Sequence, residues 1–540
     1  MKYAFVIDQR KCIGCHACTV ACKAEHDVPI GVYRTWVKYV EKGEFPNSRR
    51  YFLVNRCNHC DNAPCVNICP TQALYKRTDG IVDFDASRCI GCKSCMQACP
   101  YDALYIDPSS HTAAKCNYCA HRTEIGLEPA CVVVCPERAI IAGDLHNPDS
   151  EIARIVAREP VRVRKPEQGT GPNVYYLGAE EAAINPEAAL EELPSMTMWS
   201  TLLKPHYDDE RLLDGGHSLR APQTLHPLVT ASLHVDGQSQ SGEAHIVYDT
   251  PKTGAPWGWK VTAYLGTKSI GAGVMVVAAL AIALYGVGGP LSGAIRIVAG
   301  IGAAVIGGIF TALTLVLLVA DLKRPDRALF LLTKANPTSW LVWGGYILGI
   351  TGLIEALWFV AAIFDLSLLP WLLIPAALFG LAAAGYTAFL FGQAEGRDFW
   401  QSPLLLPILI VQATLAGSAS LGLLSWIFAS SGVLSALFTT VLLLAIVVHV
   451  GLVLIEAFGS HTSSHVATAA HYMSRGRLRT IFWWLFFVSG SCVPLALLCI
   501  ALLVPVAQSV LLGIAAILAL VGLFAYEHCF VVAGQIVPLS

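Results

Sequence analysis

The stretch Cys12-Ile-Gly-Cys15-His-Ala-Cys18-Thr-Val-Ala-Cys22 decides how this chain is organised. Its spacing, C-x2-C-x2-C-x3-C, is typical of iron–sulfur ligation, in which four thiolates hold one [4Fe-4S] cubane. Three more groups of four follow, so sixteen of the nineteen cysteines lie in four groups. The later groups are Cys57, Cys60, Cys65 and Cys69, then Cys89, Cys92, Cys95 and Cys99, then Cys116, Cys119, Cys131 and Cys135. Sixteen thiolates predict four [4Fe-4S] clusters.

Other uses of cysteine compete with this interpretation. A dense, even cysteine count also suits a disulfide framework, but here one run occurs twice and three groups end in Cys-Pro. Structural zinc is the main alternative, because C-x2-C pairs also bind zinc. The Cys-Pro at the fourth position favours the ferredoxin run instead. The segment Cys12 to His16 matches the c-type haem pattern C-x2-C-H, yet Cys18 and Cys22 complete a cluster run.

The chain divides into two parts of very different polarity. Residues 256–540 carry nineteen of the seventy-six charged side chains. We therefore predict a soluble ferredoxin-like domain over 1–178, a polar connector over 179–255 and an integral membrane domain over 256–540. The net charge of −2 says nothing about partners, and no basic patch suggests nucleic acid, so nucleic acid is not an expected partner. The first residues show no apolar signal-peptide region, so no signal peptide is expected, and the compartment stays open.

The expected fold class is α+β, with tandem ferredoxin-like modules followed by an all-α membrane domain. Strands are predicted at 51–54 and 80–84, between cysteine groups. Ala73-Leu-Tyr75 and Ala103-Leu-Tyr105 follow two Cys-Pro pairs at the same offset, which indicates pseudo-symmetric halves. The connector contains five histidines that we expect to be solvated rather than metal-bound, namely His206, His217, His226, His234 and His245.

Eight apolar stretches are long enough to cross a membrane, since a spanning helix needs about 20 residues. An even number places both ends of this domain on the side of the ferredoxin modules. Ten of its eleven positive charges also fall on that side, with Arg296 opposite. The positive-inside rule therefore predicts a multi-pass protein of the inner (plasma) membrane with a cytoplasmic iron–sulfur domain. The predicted spans are 261–286, 293–320, 338–364, 369–392, 404–430, 432–458, 480–505 and 507–535.

Ionisable residues inside these spans are expensive and are therefore functional candidates. Most are predicted to lie toward the ferredoxin side, whereas Glu355 and His449 lie deeper. Ordinary interpretations stay open: Lys268 could snorkel to the interface, Asp321 could pair with Arg324, and Tyr386 could be an interfacial aromatic. The candidates toward the ferredoxin side are Lys268, Asp321, Tyr386, Glu456, Glu527 and His528.

Residues 1–178 resemble the four-cluster electron-transfer subunits of the dimethyl sulfoxide reductase family of molybdenum enzymes, including Gly169-Thr-Gly-Pro-Asn-Val-Tyr-Tyr176 after the last group. Spacing alone leaves the pairing of the groups open. The resemblance implies that the first group pairs with the last and that the two inner groups pair. Some relatives replace one ligand of the second group by another residue, and this chain does not. The implied ligand sets are Cys12, Cys15, Cys18 with Cys135; Cys22, Cys116, Cys119 with Cys131; Cys57, Cys60, Cys65 with Cys99; and Cys89, Cys92, Cys95 with Cys69.

Residues 257–540 resemble the polysulfide-reductase-type (NrfD-like) membrane anchors. Asp321-Leu-Lys-Arg-Pro325 is similar to their Asp-Leu-Gly-Arg-Pro signature, with Lys323 in place of the usual glycine. Asn336-Pro-Thr-Ser-Trp340, the run from Tyr386 to Pro403 and the ending from Ala533 to Ser540 also match in order. The resemblance implies a quinone site near Asp321 and Tyr386.

Together these observations predict a subunit that moves electrons between a membrane quinone or quinol and a molybdopterin-containing catalytic subunit. The expected quinone pocket contains Lys268, Asp321, Tyr386, His449 and Glu456, with Asp321 and Glu456 as proton acceptors. No terminal-substrate site is evident in the chain. The alternatives are the same electron wire serving a multihaem cytochrome or a hydrogenase, and a redox-driven proton pump that uses Glu355 and His449.

Overall fold

The computed structural model describes residues 1–43, 46–191, 244–250, 255–428 and 432–540. The protein forms two compact units. Unit 1 contains Met1–Pro256 together with Pro538–Ser540, and unit 2 contains Trp257–Val537. The predicted combination of an iron–sulfur α+β domain and a helical membrane domain is confirmed. The expectation for His206, His217, His226 and His234 falls outside the described residues.

Short strands form the framework of unit 1. In chain order the described strands are β1 (Tyr3–Asp8), β2 (Thr35–Lys42), β3 (Arg49–Arg56), β4 (Leu74–Lys76), β5 (Val82–Phe84), β6 (Leu104–Ile106), β7 (Ala113–Lys115), β8 (Ile140–Asp144), β9 (Val161–Arg162), β10 (Val174–Leu177), β11 (Leu190–Glu191) and β12 (Ala244–Tyr248). One sheet has the order β8-β1-β10-β9 and another the order β11-β12-β2-β3. The pairs β4–β5 and β6–β7 are separate hairpins, and they contain the predicted repeat of Ala-Leu-Tyr.

The predicted connector is more ordered at its two ends than its polar composition suggests. Strand β12 pairs antiparallel with β2, and β11 pairs parallel with β12, so both extend a sheet of unit 1. The segment His245-Ile-Val-Tyr248 is rich in β-branched and aromatic residues, which suit a strand. It is too short to stand out in a long polar stretch.

Short helices carry or follow the cysteine groups. They are α1 (Ala17–Glu25), α2 (Pro64–Asn67), α3 (Ser94–Ala98), α4 (Ala120–Thr123), α5 (Ala130–Val133), α6 (Glu151–Arg158) and α7 (Glu181–Ile184). The turns before α1 and α3 are alike, because Gly14 and Gly91 adopt φ of 70° and 69°, and His16 and Lys93 adopt φ of 58° and 63°. Glycine meets this left-handed requirement without steric cost. The two C-x2-C-x2-C-x3-C runs thus fold as structural repeats.

The three Cys-Pro segments also repeat one backbone path. The third residue after each cysteine is left-handed, with φ of 53° at Gln72, 54° at Asp102 and 48° at Arg138. An alanine follows each of these residues and leads into β4, β6 and β8 respectively. The repeat therefore includes the last cysteine group, which the sequence pattern alone had not revealed.

The described part of unit 2 contains eight helices that are long and apolar enough to cross a membrane, as predicted. Spans 1 to 8 are Trp259–Tyr285, Gly289–Asp321, Trp340–Phe364, Leu366–Gly392, Leu405–Ile427, Gly432–Phe458, Ile481–Leu503 and Pro505–Ala533. A further helix, α8 (Ser464–Ser474), lies between spans 6 and 7. Spans 2 and 7 contain π-helical segments, at Ile295–Gly302 and Ile481–Cys492.

Spans 1 and 5 form the centre of unit 2. In an 18-residue apolar window of each helix, 78% of span 1 and 72% of span 5 are buried, whereas 22% of span 4 is buried. A Cβ atom on Gly273 of span 1 would collide with the backbone of Ala413 in span 5, so the two helices approach at glycine. Small residues at helix contacts allow such close packing in membranes. The central pair therefore gives the other spans a fixed core.

The two ends of unit 2 lie on the same side. Trp257 N–H donates to Gln535 Oε1 at 3.0 Å, and Gln535 Nε2 donates to Trp257 O at 2.9 Å. On the opposite side, Arg296 Nε donates to Ala362 O at 2.9 Å near the end of span 3. This agrees with the predicted even number of spans.

Candidate functional site

The sixteen cysteines of unit 1 form four sets in space. Neighbouring thiols within each set interact electrostatically. Two of the four sets, called I and IV below, also line one cavity each. In every case the fourth cysteine of a sequence group joins a set from another group. Set I is Cys12, Cys15, Cys18 and Cys135; set II is Cys22, Cys116, Cys119 and Cys131; set III is Cys57, Cys60, Cys65 and Cys99; set IV is Cys69, Cys89, Cys92 and Cys95.

The chemistry of these sets fits a cubane better than a zinc ion. All sixteen are free thiols, and most are buried. Among the described residues, no three His, Cys, Asp or Glu side chains converge closely enough to hold one metal ion. Zinc needs four ligands around a single ion, with Zn–S of about 2.3 Å. A cubane distributes its four thiolates over four iron atoms, so its ligands do not need to converge on one point.

Backbone N–H groups point at the sulfur atoms, as expected around an iron–sulfur cluster. Gly91 N lies 3.4 Å and Ala113 N lies 3.3 Å from Cys89 Sγ. Ala139 N lies 3.2 Å from Cys135 Sγ. Gly91 and Ala139 belong to the repeated turns described above. Hydrogen bonds of this kind orient thiolate ligands and help to set cluster potentials.

Burial makes the metal-free thiols hard to ionise. It raises the pKa of Cys18 to about 11 and that of Cys119 to about 12. These side chains are therefore neutral thiols at pH 7 without iron, and metal binding has to displace their protons. Iron supplies the positive charge that makes buried thiolates stable.

The interior of unit 1 is unusually rich in buried cations. Lys38, Arg56, Lys115 and Arg164 are each at most 1% exposed. Lys115 Nζ donates to Cys116 O at 2.9 Å, and Arg164 Nη1 donates to Asn55 Oδ1 at 2.7 Å. A buried charge is costly unless an opposite charge compensates it. Clusters held by four thiolates are anionic, so these cations fit an interior that contains them.

Two side chains approach the sulfur atoms of set II. Arg56 Nη1 donates to Cys131 Sγ at 3.2 Å, and His26 Nε2 lies 3.2 Å from Cys119 Sγ. Burial lowers the pKa of His26 to about 4 in the iron-free protein. Its Nε2 lies within hydrogen-bond distance of Cys119 Sγ, and a histidine ring nitrogen that carries a proton can donate to a thiolate there. Sequence analysis missed both residues, because neither lies in a recognisable charge pattern.

In unit 2, the structure brings three of the five predicted pocket residues together. Lys268 is 1% exposed, and its Nζ donates to Ala384 O at 2.7 Å and to Thr387 Oγ1 at 2.9 Å. The same Nζ lies 5.5 Å from the ring centroid of Tyr386. The ammonium of Lys268 is therefore inside the helix bundle and not at its surface.

Tyr264 and Glu527 complete this group, which we call the Lys268 cluster. Tyr264 of span 1 interacts electrostatically with Tyr386, Asp321 and Glu527. Glu527 of span 8 interacts with Lys268 and accepts from Ser269 Oγ at 3.5 Å. Its second oxygen, Oε2, is buried without a protein partner. The Lys268 cluster is Tyr264, Lys268, Asp321, Tyr386, Thr387 and Glu527.

His449 and Glu456 form a second group, the His449 cluster, with Gln412 and Tyr526. Gln412 Nε2 lies 3.2 Å from His449 Nε2, and the Tyr526 hydroxyl donates to Glu456 Oε2 at 3.0 Å. The rings of His449 and Tyr526 meet edge to face at 5.1 Å. Glu456 Oε1 and Gln412 Oε1 are buried without a protein partner. Their contacts leave acceptors free for a water molecule or a ligand.

The five predicted pocket residues therefore occupy two polar clusters on either side of span 8. Tyr526 faces the His449 cluster, and its neighbour Glu527 faces the Lys268 cluster. Glu355 belongs to neither, since it accepts from Thr311 Oγ1 at 2.9 Å between spans 2 and 3. Tyr264, Gln412 and Tyr526 were missed, because uncharged polar residues give no signal within an apolar span. Glu527 was visible as an acid, but its partner was not.

The membrane unit matches the protein family described as polysulphide reductase, NrfD, over residues 250–538 of the 540. The protein belongs to the NrfD family. Two matches to 4Fe-4S dicluster domains cover residues 11–74 and 48–145 of this NrfD-family protein. They contain all four cysteine groups. It is thus a multi-pass membrane protein with an iron–sulfur domain at its N-terminal end.

Curated relatives match the iron–sulfur domain. A tetrathionate reductase subunit of Salmonella typhimurium is 48% identical over 189 residues, which cover 34% of this chain and 76% of the relative. A component of the polysulfide reductase of Wolinella succinogenes is 40% identical over 188 residues, or 34% of this chain and 97% of the relative. The thiosulfate reductase electron transfer subunit PhsB of Salmonella typhi is 45% identical over 182 residues, or 33% and 93%. This NrfD-family protein is therefore an electron-transfer subunit of the reductase type fused to a membrane domain.

Proposed function

We propose that this chain exchanges electrons between a membrane quinone and the molybdopterin-containing catalytic subunit of an oxidoreductase complex. The observation that carries the proposal is the presence of four complete cysteine sets on the same polypeptide as eight spans with buried polar clusters. The relatives support the electron-transfer role, because their names assign them to tetrathionate, polysulfide and thiosulfate reductases. No site for a terminal substrate is evident among the described residues.

The sixteen cysteines would hold four [4Fe-4S] clusters, one for each set. When bound, each cluster accepts and releases one electron at a time. The protein's own contribution is to hold the thiolates in place, to exclude water and to donate hydrogen bonds to sulfur. Sets II, III and IV are almost wholly buried, whereas Cys15 of set I is exposed. The exposed position of Cys15 favours set I as a point of contact with a redox partner.

The buried polar groups of unit 2 suit the quinone half of the reaction. Oxidation of a quinol releases two electrons and two protons, so the site needs hydrogen-bond partners for two ring oxygens and a base. Lys268, Tyr386 and His449 can bond to ring oxygens. Asp321 and Glu456 can accept protons. The carboxylate of Glu456 interacts with Tyr526 and Ser402 inside the bundle. The quinone ring binds wherever its oxygens make hydrogen bonds, which is either at the Lys268 cluster or at the His449 cluster.

The proposed orientation of the chain in the membrane rests on the distribution of positive charge in unit 2. Of the ten cations on the side of the chain ends, Lys260, Lys268 and Arg397 donate to backbone carbonyls of unit 2. Arg296 on the opposite side is bound in the same way. Arg324 and Arg327 pair with Asp326. Ten cations against one favour a cytoplasmic location for that side of an inner-membrane protein. Protease digestion of right-side-out and inverted vesicles tests this, since the iron–sulfur domain should be cleaved only in inverted ones.

Purification of the native complex through a tag on this chain tests the proposed partner. Metal analysis should find molybdenum or tungsten with a large co-purifying subunit. Haem iron in place of molybdenum would assign a multihaem cytochrome partner, and nickel would assign a hydrogenase. A complex that contains neither molybdenum nor tungsten would refute the proposed assembly. The iron content of the chain tests cluster binding separately.

A further inference from the structure

Set II differs from the other cysteine sets in the side chains that surround it. Its sulfur atoms are approached by a guanidinium, from Arg56 to Cys131 at 3.2 Å, and by an imidazole, from His26 to Cys119 at 3.2 Å. Arg34 also interacts electrostatically with Cys22 of this set. Among the described hydrogen bonds of the other sets, sulfur receives backbone N–H groups or the hydroxyls of Thr19, Ser94 and Thr170. Cations also act on these sets without a described hydrogen bond to sulfur, since Arg56 interacts with Cys18 of set I and Lys115 with Cys65 of set III.

The charge of Arg56 is fixed and is directed at thiolates. The side chain is 1% exposed, and its Nε and Nη2 atoms have no protein partner. Its guanidinium lies 4.4 Å from the ring centroid of Phe5, an apolar neighbour that leaves the charge unneutralised. Cys131, Cys116 and Cys18 are its electrostatic partners. Arg56 therefore faces set II and also one cysteine of set I.

Positive charge and N–H···S hydrogen bonds both favour the reduced form of an iron–sulfur cluster. A cluster that takes up one electron becomes more negative without binding a proton, and a nearby cation stabilises the added charge. Inside a protein this attraction is stronger than in water, because the surroundings screen it weakly. Two sulfur donors and a buried cation at one cluster should therefore raise its potential above those of clusters with backbone and hydroxyl donors alone.

We propose that Arg56, assisted by His26, raises the reduction potential of the cluster at set II, so that this cluster accepts an electron more readily than it would without them. The inference rests on the proposed binding of a cluster by each cysteine set. Arg56 contacts cluster ligands but no substrate. It therefore acts through the cluster, by stabilising the electron that the cluster takes up. Its location beside Cys18 also places this charge between sets I and II, where it favours transfer from one set to the other.

The test is a redox titration of the purified full-length chain, followed by low-temperature electron paramagnetic resonance. A Cys119→Ser variant identifies which signal belongs to set II. In Arg56→Gln the equilibrium constant for one-electron reduction of that cluster should fall at least tenfold, which corresponds to about 59 mV for a one-electron couple. Arg56→Lys should recover most of the loss. His26→Gln should lower the same constant by less, because it removes one hydrogen-bond donor and leaves the charge of Arg56 in place.

Arg164→Gln is the matched control. Arg164 is equally buried, but it donates to Asn55 Oδ1 and to Leu539 O rather than to sulfur. It should leave the potential of set II unchanged. An Arg56→Gln variant that keeps its iron and has an unchanged potential would overturn the proposal. Iron loss in both Arg56→Gln and His26→Gln would also overturn it, because it would assign these two side chains a structural role. If Cys119→Ser lost neither iron nor a signal, the proposed function would fail at set II instead.

Discussion

Replacing Lys268 by methionine removes a buried hydrogen-bond donor that also interacts electrostatically with Glu527 inside the membrane unit. Lys268 is 1% exposed and donates to Ala384 O and Thr387 Oγ1, so its charge lies far from water. Removal of a buried donor leaves its acceptors unsatisfied, which costs about 1–3 kcal/mol. For a unit of this size each kcal/mol lowers Tm by roughly 2 °C. We therefore expect Lys268→Met to lower Tm by roughly 2–6 °C.

The double variant Lys268→Met/Glu527→Leu separates charge balance from function. It replaces the pair with apolar groups, which is often nearly neutral for stability, so part of the lost Tm should return. Electron transfer from quinol to the clusters should stay impaired, because the hydrogen-bond donor is still absent. The assay is thermal melting of the purified chain in detergent, followed by tryptophan fluorescence. Lys260→Met is the control, because that lysine bonds to Ala320 O in an exposed position. A single variant that melts like the wild type, or a double variant no better than the single, would refute this account of the Lys268 cluster.

Three further outcomes are expected. Asp321→Asn should abolish reduction of the clusters by quinol while dithionite still reduces them all, and normal quinol kinetics in this variant would exclude Asp321 from the site. Gly14→Ala places a Cβ against Phe52 at φ +70° and should lower the iron content of the purified chain. Gly126→Ala is the control, because Gly126 has φ +79° but open space around it, and this variant should keep its iron. Equal iron content in both variants would contradict the close fit at set I. Burial alone would raise the pKa of Asp61, but hydrogen bonds from Lys2, Asn173 and Lys76 lower it to about 2. Its stabilisation, about 1 kcal/mol or less at this partly exposed site, is therefore full above about pH 4 and lost as the pH falls toward 2. Melting curves of Asp61→Asn and wild type should converge at low pH, and parallel curves down to pH 2 would contradict this.

Sequence alone predicted the features that depend on local pattern. The eight spans could be predicted because length and apolarity follow directly from the bilayer, and the cysteine groups because ligand spacing is local. The way those groups combine into sets came from resemblance, since spacing does not determine which distant cysteines meet. Strand β12 was not predicted, because a strand of five residues is too short to stand out in a long polar segment.

The polar contacts of the two membrane clusters could not be predicted in the same way. Tyr526 and Glu527 are consecutive, yet they contact different clusters, because neighbouring residues on a helix face different directions. The partners of Glu527 lie in span 1, more than 250 residues away in the chain. Arg56 is adjacent to Cys57 in sequence but interacts with Cys131. Contacts of this kind depend on how the elements pack, which single-residue patterns do not encode.

Electron exchange between the clusters and a quinone is the central claim, and one measurement tests it most directly. The purified chain in lipid nanodiscs is reduced anaerobically with stoichiometric dithionite, and a short-chain quinone is added while electron paramagnetic resonance records the clusters. We predict that the quinone reoxidises the clusters and that Asp321→Asn slows this reaction strongly. Clusters that stay reduced in the wild-type chain, although ferricyanide oxidises them, would contradict the account.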